Sequence, residues 1–257
     1  MNNRHIFRIM LIFGAFTTLT ACGKWSDAQS VPPTTVVAST TTLVETGISA
    51  SGQRSGPSAQ ASQLKLLELG FWLENPNGKF DDTTAQAVMA FQKYFQLRPT
   101  GSMNAATAYL LERMSIPATA TTKEGTLAEV DKSRQLLFLV QDGITTYVMN
   151  ASTGDDRAYE EPDGNTHGVM IKGTAVTPVG SFKIDRERPD GWWIGDLGQI
   201  YRPKYFIGGV AIHGSMSVPA YPASHGCVRV TVKAMDFIWD NEILPRGTEV
   251  LVYGEIS

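Results

Sequence analysis

Apolar residues recur at helical spacing between residues 59 and 117. Val88, Phe91 and Phe95 lie three or four positions apart, so they share one face of a helix. Polar and glycine-containing stretches that start or stop helices separate the apolar runs: Asp81-Asp82-Thr83, Thr100-Gly101 and Asn104. The pattern predicts a small all-α module of three short helices.

From residue 125 the period changes to the alternation of β-strands. The runs 136–140 and 144–149 flank Gln141-Asp142-Gly143, and an Asp-Gly pair is typical of a tight hairpin turn. Further strands are predicted at 180–184, 205–213 and 249–253, a helix at 232–241, and loops at 155–172 and 187–204. The fold class is therefore multidomain, a three-helix module followed by a mainly β, sandwich-like domain with one or two helices.

The N-terminal residues indicate export. Arg4 and Arg8 precede the apolar run 9–16, which is shorter than the roughly 20 residues that span a bilayer, so residues 1–21 are predicted to be a signal peptide. Leu19-Thr20-Ala21-Cys22 resembles the lipobox of bacterial lipoproteins. That resemblance implies lipidation of Cys22 and a membrane anchor at the cell envelope, outside the cytoplasm. The alternative is an ordinary signal peptide followed by a cysteine.

Composition indicates the domain boundaries in the rest of the chain and excludes one class of partner. Residues 22–58 are rich in Ser, Thr, Pro and Gly and are predicted to form a disordered tether, leaving domains at 59–117 and 125–254. The net charge of −3 and the absence of a Lys/Arg cluster argue against a nucleic-acid partner.

The candidate chemistry centres on a lone thiol. The chain has two cysteines, and lipidation of Cys22 leaves Cys227 unpaired in an exported protein. A thiol attacks a carbonyl as thiolate, so it needs a base nearby, and His213 at the end of a predicted strand is the preferred one. In Ser224-His225-Gly226-Cys227, the glycine allows backbone amides to turn toward an oxyanion.

The segments 211–215 and 222–229 resemble the signature of the L,D-transpeptidase (YkuD-type) family, and the resemblance extends over about residues 125–254, including Ser152-Thr153-Gly154. It implies Cys227 as the nucleophile, His213 as the general base and a Gly214 carbonyl that orients the base. The remaining signature residues form the oxyanion and substrate-binding turn: Ser224, His225, Gly226 and Arg229.

Residues of the helical region, among them Leu69-Gly70-Phe71-Trp72 and Ala90-Phe91-Gln92-Lys93, resemble the type 1 peptidoglycan-binding module. The two resemblances imply peptidoglycan stem peptides and glycan as partners, without a cofactor. Cys227 is expected to release D-Ala from a tetrapeptide stem, form a thioester and pass the acyl group to an amine of a second stem. This 3→3 crosslinking belongs to cell-wall biogenesis, and carbapenems are expected to acylate the same thiol.

Alternatives stay open at this stage. Water in place of the amine would make the protein an L,D-carboxypeptidase or wall-amide hydrolase, and an inert Cys227 would make it a non-catalytic wall-binding lipoprotein. A zinc site of His213, His225 and Cys227 lacks the usual paired-ligand spacing, so no metal is predicted. Cys227 as a buried apolar residue leaves the Ser-His-Gly before it unexplained.

Two further sets of residues have competing interpretations. The acidic run 160–165 is either a calcium loop or, more simply, a solvated turn. Aromatic residues at 192–205 either line a peptide cleft or pack in the core, and the core is favoured: Trp192, Trp193, Tyr201 and Tyr205. Of these, Tyr201 is assigned to substrate binding. Arg229 either pairs with a stem carboxylate or braces the turn.

Overall fold

The computed structural model describes residues 47–256, so the predicted signal peptide, Cys22 and the tether up to residue 46 lie outside the described residues. Residues 47–256 contain four helices: α1 (Pro57–Glu68), α2 (Asp82–Tyr94), α3 (Ala105–Arg113) and α4 (Val232–Asp240). They also contain twelve strands: β1 (Leu127–Asp131), β2 (Leu136–Gln141), β3 (Ile144–Asn150), β4 (Ala158–Pro162), β5 (Met170–Thr174), β6 (Gly180–Lys183), β7 (Arg186–Glu187), β8 (Trp192–Gly195), β9 (Gly198–Ile207), β10 (Val210–Ser215), β11 (Val228–Thr231) and β12 (Glu249–Tyr253).

The helical module is formed by α1, α2 and α3. Asp81 caps α2 by accepting a hydrogen bond from the Thr84 amide, and Asn104 caps α3 by accepting one from the Thr107 amide, each at 2.9 Å. Both caps were among the predicted helix starts, and the side-chain acceptors satisfy amides that lack a partner in the first turn. The prediction of a three-helix module is confirmed.

The end of the predicted tether is placed differently by the structure. Gly52 exchanges two backbone hydrogen bonds with Met103, at 3.0 and 2.9 Å, and the Ser55 hydroxyl accepts from the Phe80 amide. Helix α1 already begins at Pro57, which fits the first helical turn because it has no amide hydrogen to satisfy. Residues 52–58 therefore belong to the module. Their composition does not reveal this, because it resembles that of the tether before them.

The β domain contains two main sheets and a hairpin. One sheet has the order β3-β2-β1-β12-β6, the other has the order β11-β10-β9-β7 with β8 also paired to β9, and β4 pairs with β5. A single apolar core joins both sheets and α4, with Val130 and Val252 from the first sheet, Ile212 and Val230 from the second, and Met235 from the helix. The prediction of a mainly β, sandwich-like domain with one helix is confirmed.

Two parts of the predicted strand pattern are wrong. The predicted loops at 155–172 and 187–204 contain the hairpins β4–β5 and β8–β9, whose strands are exposed on much of both faces and so lack a clear apolar alternation. The predicted strand 205–213 is two antiparallel strands, β9 and β10, which turn at Gly208-Gly209. Exposed strands carry a weak sequence signal because no face is reserved for the core.

The helical module packs directly on the first sheet. Val148 of β3 donates a backbone hydrogen bond to Gly70 at 2.8 Å and accepts one from Trp72 at 3.0 Å. Phe71 and Phe91 share one buried cluster with Phe138 of β2. The module and the β domain thus have a common core. No helix within residues 47–256 is both long and apolar enough to cross a bilayer.

Candidate active site

Adjacent parallel strands bring the predicted signature residues together. β10 pairs with β11 so that His213 lies opposite Arg229 and Ile212 opposite Val228. Because side chains alternate along a strand, Ile212 and Val228 enter the core while His213 and Arg229 face the other side. Cys227 immediately precedes β11 and faces the same side.

That side of the sheet is a cavity of about 300 Å³. Its lining includes the side chains of five predicted site residues: His213, Ser224, His225, Cys227 and Arg229. Tyr159 of β4, the turn 195–200 between β8 and β9, and residues 209, 210 and 215 line the rest of the wall. The two hairpins that the sequence pattern did not show are thus the parts that enclose the site.

His213 is buried, with 3% of its surface exposed, and its Nδ1 lies 2.8 Å from the carbonyl oxygen of Gly214. A carbonyl oxygen can only accept, so Nδ1 carries the proton and Nε2 keeps its lone pair. The pKa of His213 is lowered from 6.5 to about 4, mainly by burial. The hydrogen bond to the Gly214 carbonyl raises this pKa, and the positive charge of Arg229 lowers it. The imidazole is therefore neutral at neutral pH and can accept a proton.

The Cys227 thiol is half-buried, and its Sγ lies 3.7 Å from the Gly209 carbonyl oxygen. Burial raises the thiol pKa above 9.0, while a backbone hydrogen bond from Ala211 and the charge of Arg229 lower it. The thiol is therefore protonated at neutral pH. A protonated thiol and a neutral imidazole thus line one cavity, and any attack by the sulfur would have to be accompanied by transfer of its proton.

The turn before Cys227 is held by its own hydroxyl and by a close backbone approach. The Ser224 hydroxyl donates to the Cys227 carbonyl at 2.5 Å and accepts from the Gly226 amide at 3.0 Å. Gly226 has φ +130°, and a Cβ there would lie 2.7 Å from the Val176 carbonyl oxygen. Gly226 thus allows the turn to form, but its amide is occupied by Ser224 and does not point free toward an oxyanion.

The backbone of residues 152–153 is hydrogen-bonded to the turn that carries Cys227. Ser152 and Arg229 exchange two backbone hydrogen bonds at 3.1 and 2.9 Å, and the Thr153 carbonyl accepts from the amides of Ala223 and Ser224. The Thr177 hydroxyl donates to the Gly226 carbonyl at 2.7 Å. Hydroxyl and backbone groups far apart in sequence therefore fix the position of Cys227.

His225 lines the cavity but is already paired. Its Nε2 lies 2.9 Å from Glu161, and its ring meets the Tyr159 ring edge-on with centroids 4.9 Å apart. Both partners come from β4, so sequence reasoning missed them. Glu161 belongs to the acidic run for which calcium was considered. Within residues 47–256 no three His, Cys, Asp or Glu side chains are grouped to hold a metal ion.

Arg229 is half-buried and faces the cavity, and in the described part of the chain no carboxylate lies within 4.0 Å of its guanidinium. Burial lowers its pKa. The guanidinium keeps its charge even so, because its ordinary pKa is above 12. A cationic fork beside the thiol is therefore available to an anionic group of a ligand.

Tyr201 is not among the cavity-lining residues. It lies opposite Gly214 in the β9–β10 pairing, on the face toward α4, where its hydroxyl donates to Asp236 at 2.9 Å. Tyr205 is buried, whereas Trp192 and Trp193 are 43% and 37% exposed. The aromatic residues thus divide between packing and surface, and none of these four lines the cavity.

Comparison with known proteins agrees with this geometry. Residues 125–252 match the family described as the L,D-transpeptidase catalytic domain, and residues 55–111 match a family described as a peptidoglycan binding domain. The search among curated proteins gives no match.

One solved structure supports the same family. The L,D-transpeptidase (residues 123–326) from Xylanimonas cellulosilytica is 39% identical, with 77% of this chain and 94% of that chain covered and a TM-score of 0.69. The L,D-transpeptidase from Stackebrandtia nassauensis is 20% identical, covers 82% of this chain and 97% of that chain, and has a TM-score of 0.46.

Fold, site and matches define a two-domain protein in which a peptidoglycan-binding module is joined to a transpeptidase catalytic domain. The chain belongs to the L,D-transpeptidase family.

Proposed function

We propose that this protein acylates Cys227 with a peptidoglycan tetrapeptide stem, releases D-Ala and transfers the acyl group to an amine of a second stem. One observation carries the proposal: the thiol of Cys227, the imidazole of His213 and the guanidinium of Arg229 line one cavity. The directions of the pKa shifts of His213 and Cys227 favour a neutral imidazole and a protonated thiol. These are the nucleophile, the base and the anion-binding group that acyl transfer from a peptide with a terminal carboxylate requires.

In the first step, Cys227 Sγ attacks the carbonyl carbon of the residue before the terminal D-Ala, and the thiol proton passes to His213 Nε2. The carbonyl electron pair moves to oxygen and forms a tetrahedral oxyanion. When the pair returns, the C–N bond breaks, and His213 gives its proton to the departing D-Ala amine. A thioester on Cys227 and a neutral His213 remain.

In the second step, a side-chain amine of another stem attacks the thioester carbonyl. His213 accepts a proton from the amine, the C–S bond breaks and the proton returns to sulfur. The hydrogen bond from His213 Nδ1 to the Gly214 carbonyl keeps the proton on Nδ1, so Nε2 is the nitrogen that accepts and returns the transferred proton in both steps.

Water competes with the amine for the thioester, and it would make the protein an L,D-carboxypeptidase. The turn 195–200 and Tyr159 of the β4–β5 hairpin form part of the cavity wall, where they would limit the access of water to a thioester. Their tips are joined, since the Gly164 amide donates to the Asp196 carbonyl at 2.7 Å and the Asn165 amide side chain donates to the Asp196 carboxylate at 2.8 Å. This enclosure supports transfer over hydrolysis.

The test is intact-mass spectrometry of the protein with disaccharide tetrapeptide, with and without an acceptor stem. We expect a thioester adduct on the wild type, release of D-Ala, and a crosslinked dimer only when acceptor is present. Cys227→Ala should form no adduct. His213→Gln should acylate about 10²- to 10⁴-fold more slowly, while the matched change of exposed His167→Gln should not alter the rate.

The outcomes separate the alternatives. D-Ala release without a crosslinked product in the presence of acceptor would identify an L,D-carboxypeptidase. A folded wild-type protein without adduct or D-Ala release would identify a non-catalytic wall-binding protein.

We also propose that carbapenems acylate Cys227, because a β-lactam carbonyl would meet the same thiol and base. The expected result is one adduct per chain, absent in Cys227→Ala. An unchanged wild-type mass after carbapenem treatment would contradict this.

Residues before 47 support a proposal on location. We propose that the chain is exported and carries a lipid on Cys22 at the cell envelope, on the basis of Arg4, Arg8 and the lipobox-like Leu19-Thr20-Ala21-Cys22. The mass of the N-terminal peptide from a bacterial membrane fraction tests it. A lipid-modified Cys22 at the new N-terminus is expected, and an unmodified Cys22 would overturn it.

A further inference from the structure

A buried lysine of the helical module reaches into the catalytic domain. Lys93 of α2 is 6% exposed, and its Nζ donates to the backbone carbonyls of Gln135 and Ala151, at 3.0 and 3.1 Å, and to the side-chain carbonyl of Asn150. Gln86 lies seven residues earlier on the same face of α2, and its side-chain oxygen accepts a hydrogen bond from the side-chain amide of Asn150 at 2.6 Å. All three acceptors of Lys93 lie in the β domain.

The environment of Lys93 contains no direct counter-charge. In the described part of the chain no carboxylate lies within 4.0 Å of Nζ, and the charged groups that share its cavity are Lys132 and Arg134. Asp156 and Asp131 pair with those two cations. Burial lowers the pKa of Lys93 from 10.5 to about 7.

The hydrogen-bond geometry favours the ammonium form. Three acceptors match the three protons of an ammonium, whereas a neutral amine would donate two bonds and turn its lone pair toward an acceptor. An apolar side chain of similar length would avoid the cost of burying a charge, although the three carbonyl oxygens would lose this donor. The polar contacts therefore need an explanation other than packing.

The groups that Lys93 binds are connected to the turn that carries Cys227. The Gln135 side chain accepts from the Thr153 amide and donates to the Thr153 hydroxyl, both at 2.7 Å. Thr153 in turn accepts at its carbonyl from the amides of Ala223 and Ser224, at 2.9 and 3.0 Å. A continuous hydrogen-bonded path thus runs from the helical module to the residues just before Cys227.

We propose that Lys93 is a positioning residue: from the helical module it fixes segment 150–154 and, through it, the turn 222–229 that carries the nucleophile. The binding module then contributes to acylation as well as to wall binding. This inference rests on the proposed role of Cys227, so its test measures both the reaction and the order of the two segments.

The test uses the full-length chain with Lys93→Met, which keeps length and volume but removes the charge and all three donors. The control is Lys79→Met, at an exposed lysine of the same module whose ammonium makes no hydrogen bond or ion pair within residues 47–256. Single-turnover acylation by disaccharide tetrapeptide, measured against substrate concentration, separates the maximum rate from the half-saturating concentration.

We expect Lys93→Met to lower the maximum acylation rate about 10- to 100-fold, because small displacements of a nucleophile have effects of that size. The half-saturating concentration should stay within about twofold of the wild type. The melting temperature should change little, because removal of a buried charge offsets the loss of a donor to three buried carbonyl oxygens. A uniform structural loss would lower the melting temperature and the rate together.

Hydrogen exchange gives a second readout that does not depend on activity. In Lys93→Met, exchange should rise in 150–154 and 222–229 and stay unchanged in α1 and α3. Asn150→Ala serves if Lys93→Met does not fold. It leaves the charge in place but removes one acceptor of Lys93 and the two bonds that the Asn150 side-chain amide donates to Gln86 and Val218, and it should raise exchange in the same two segments.

The outcomes can be told apart. A wild-type rate together with wild-type exchange in both segments would overturn the positioning role, as would a rise in exchange over the whole chain. If the wild type itself does not acylate, the proposed function fails, and the exchange data still decide whether Lys93 orders the turn.

Discussion

At the residue scale, His213 shows how burial sets the protonation state of the site. The ring is almost fully buried, its Nδ1 donates to a carbonyl, and the charge of Arg229 opposes a second proton. Each feature except the Gly214 hydrogen bond disfavours the imidazolium form. The resting site therefore contains two neutral groups, a thiol and an imidazole.

This predicts the acid limb of the pH profile. The pKa of His213 is lowered from 6.5 to about 4, so its proton-accepting form is present above pH 4 and is lost as the pH falls through that value. The acylation rate should stay nearly constant from about pH 7 down to about pH 5 and should decrease at lower pH. Rapid-quench kinetics across this range measures it, and a half-maximal rate near pH 6.5 would contradict it.

Gly226 provides a second prediction at this scale. Gly226→Ala adds a Cβ at 2.7 Å from a backbone carbonyl oxygen at φ +130°, so the turn must shift. We expect a loss of about 1–3 kcal/mol in unfolding free energy and a large loss of acylation. Gly247→Ala is the control, since that residue has φ +95° and open space around it. Equal effects of the two changes in denaturant titrations would show that close contact at Gly226 is unimportant.

At the element scale, two hairpins enclose the cavity although little of their surface is buried. β4 and β5 alternate between exposed and half-exposed residues, and their tip is fixed to the β8–β9 turn through Asp196. Such strands contribute little to the core, so their positions depend on a few polar contacts. Closure of the site is therefore sensitive to single hydrogen bonds.

Asn165→Ala removes the donor of the side-chain hydrogen bond between Asn165 and Asp196, and Asp196→Ala removes its acceptor. An exposed hydrogen bond contributes about 0.5–1.5 kcal/mol, so the closed arrangement should become roughly 2- to 10-fold less populated. The ratio of hydrolysed to crosslinked product should rise by a similar factor. Product analysis by mass spectrometry checks this against Asp190→Ala, an exposed residue outside the cavity lining, which should leave the ratio unchanged.

At the scale of the whole molecule, the helical module and the β domain form one cooperative unit. Phe71 and Phe91 are buried in one cluster with Phe138, and the backbone of residues 70–72 continues the edge of the first sheet at Val148. Separating the domains would expose this apolar surface to water, which is unfavourable. Unfolding of one part should therefore unfold the other.

We predict a single unfolding transition for the two parts. Leu111→Ala removes a fully buried side chain of α3, distant in sequence from the sheets, and should lower the unfolding free energy by about 2–5 kcal/mol. Hydrogen exchange should show that decrease in the β strands as well as in the helices. Leu64→Ala, at a position 54% exposed, should have little effect. Two separate transitions in calorimetry would contradict the prediction.

The sequence by itself determined the features that depend on neighbouring residues. Helical and alternating periods, the caps at Asp81 and Asn104, and the spacing of Ser224-His225-Gly226-Cys227 all act over a few positions, so they could be predicted. The family resemblance added the prediction that His213 and Cys227, fourteen positions apart, act together. The fold class and family were thereby established before any contact was known.

Only the tertiary structure decided which distant groups meet. Glu161 and Tyr159 contact His225, Ser152 pairs with Arg229, and Lys93 joins the two domains, yet none of these contacts has a local signal. Tyr201 was expected at the cavity, but strand alternation beside Gly214 turns it toward α4. Long-range pairing and the side of a sheet that a residue faces depend on strand register, which the hydrophobic pattern specifies poorly where strands are exposed.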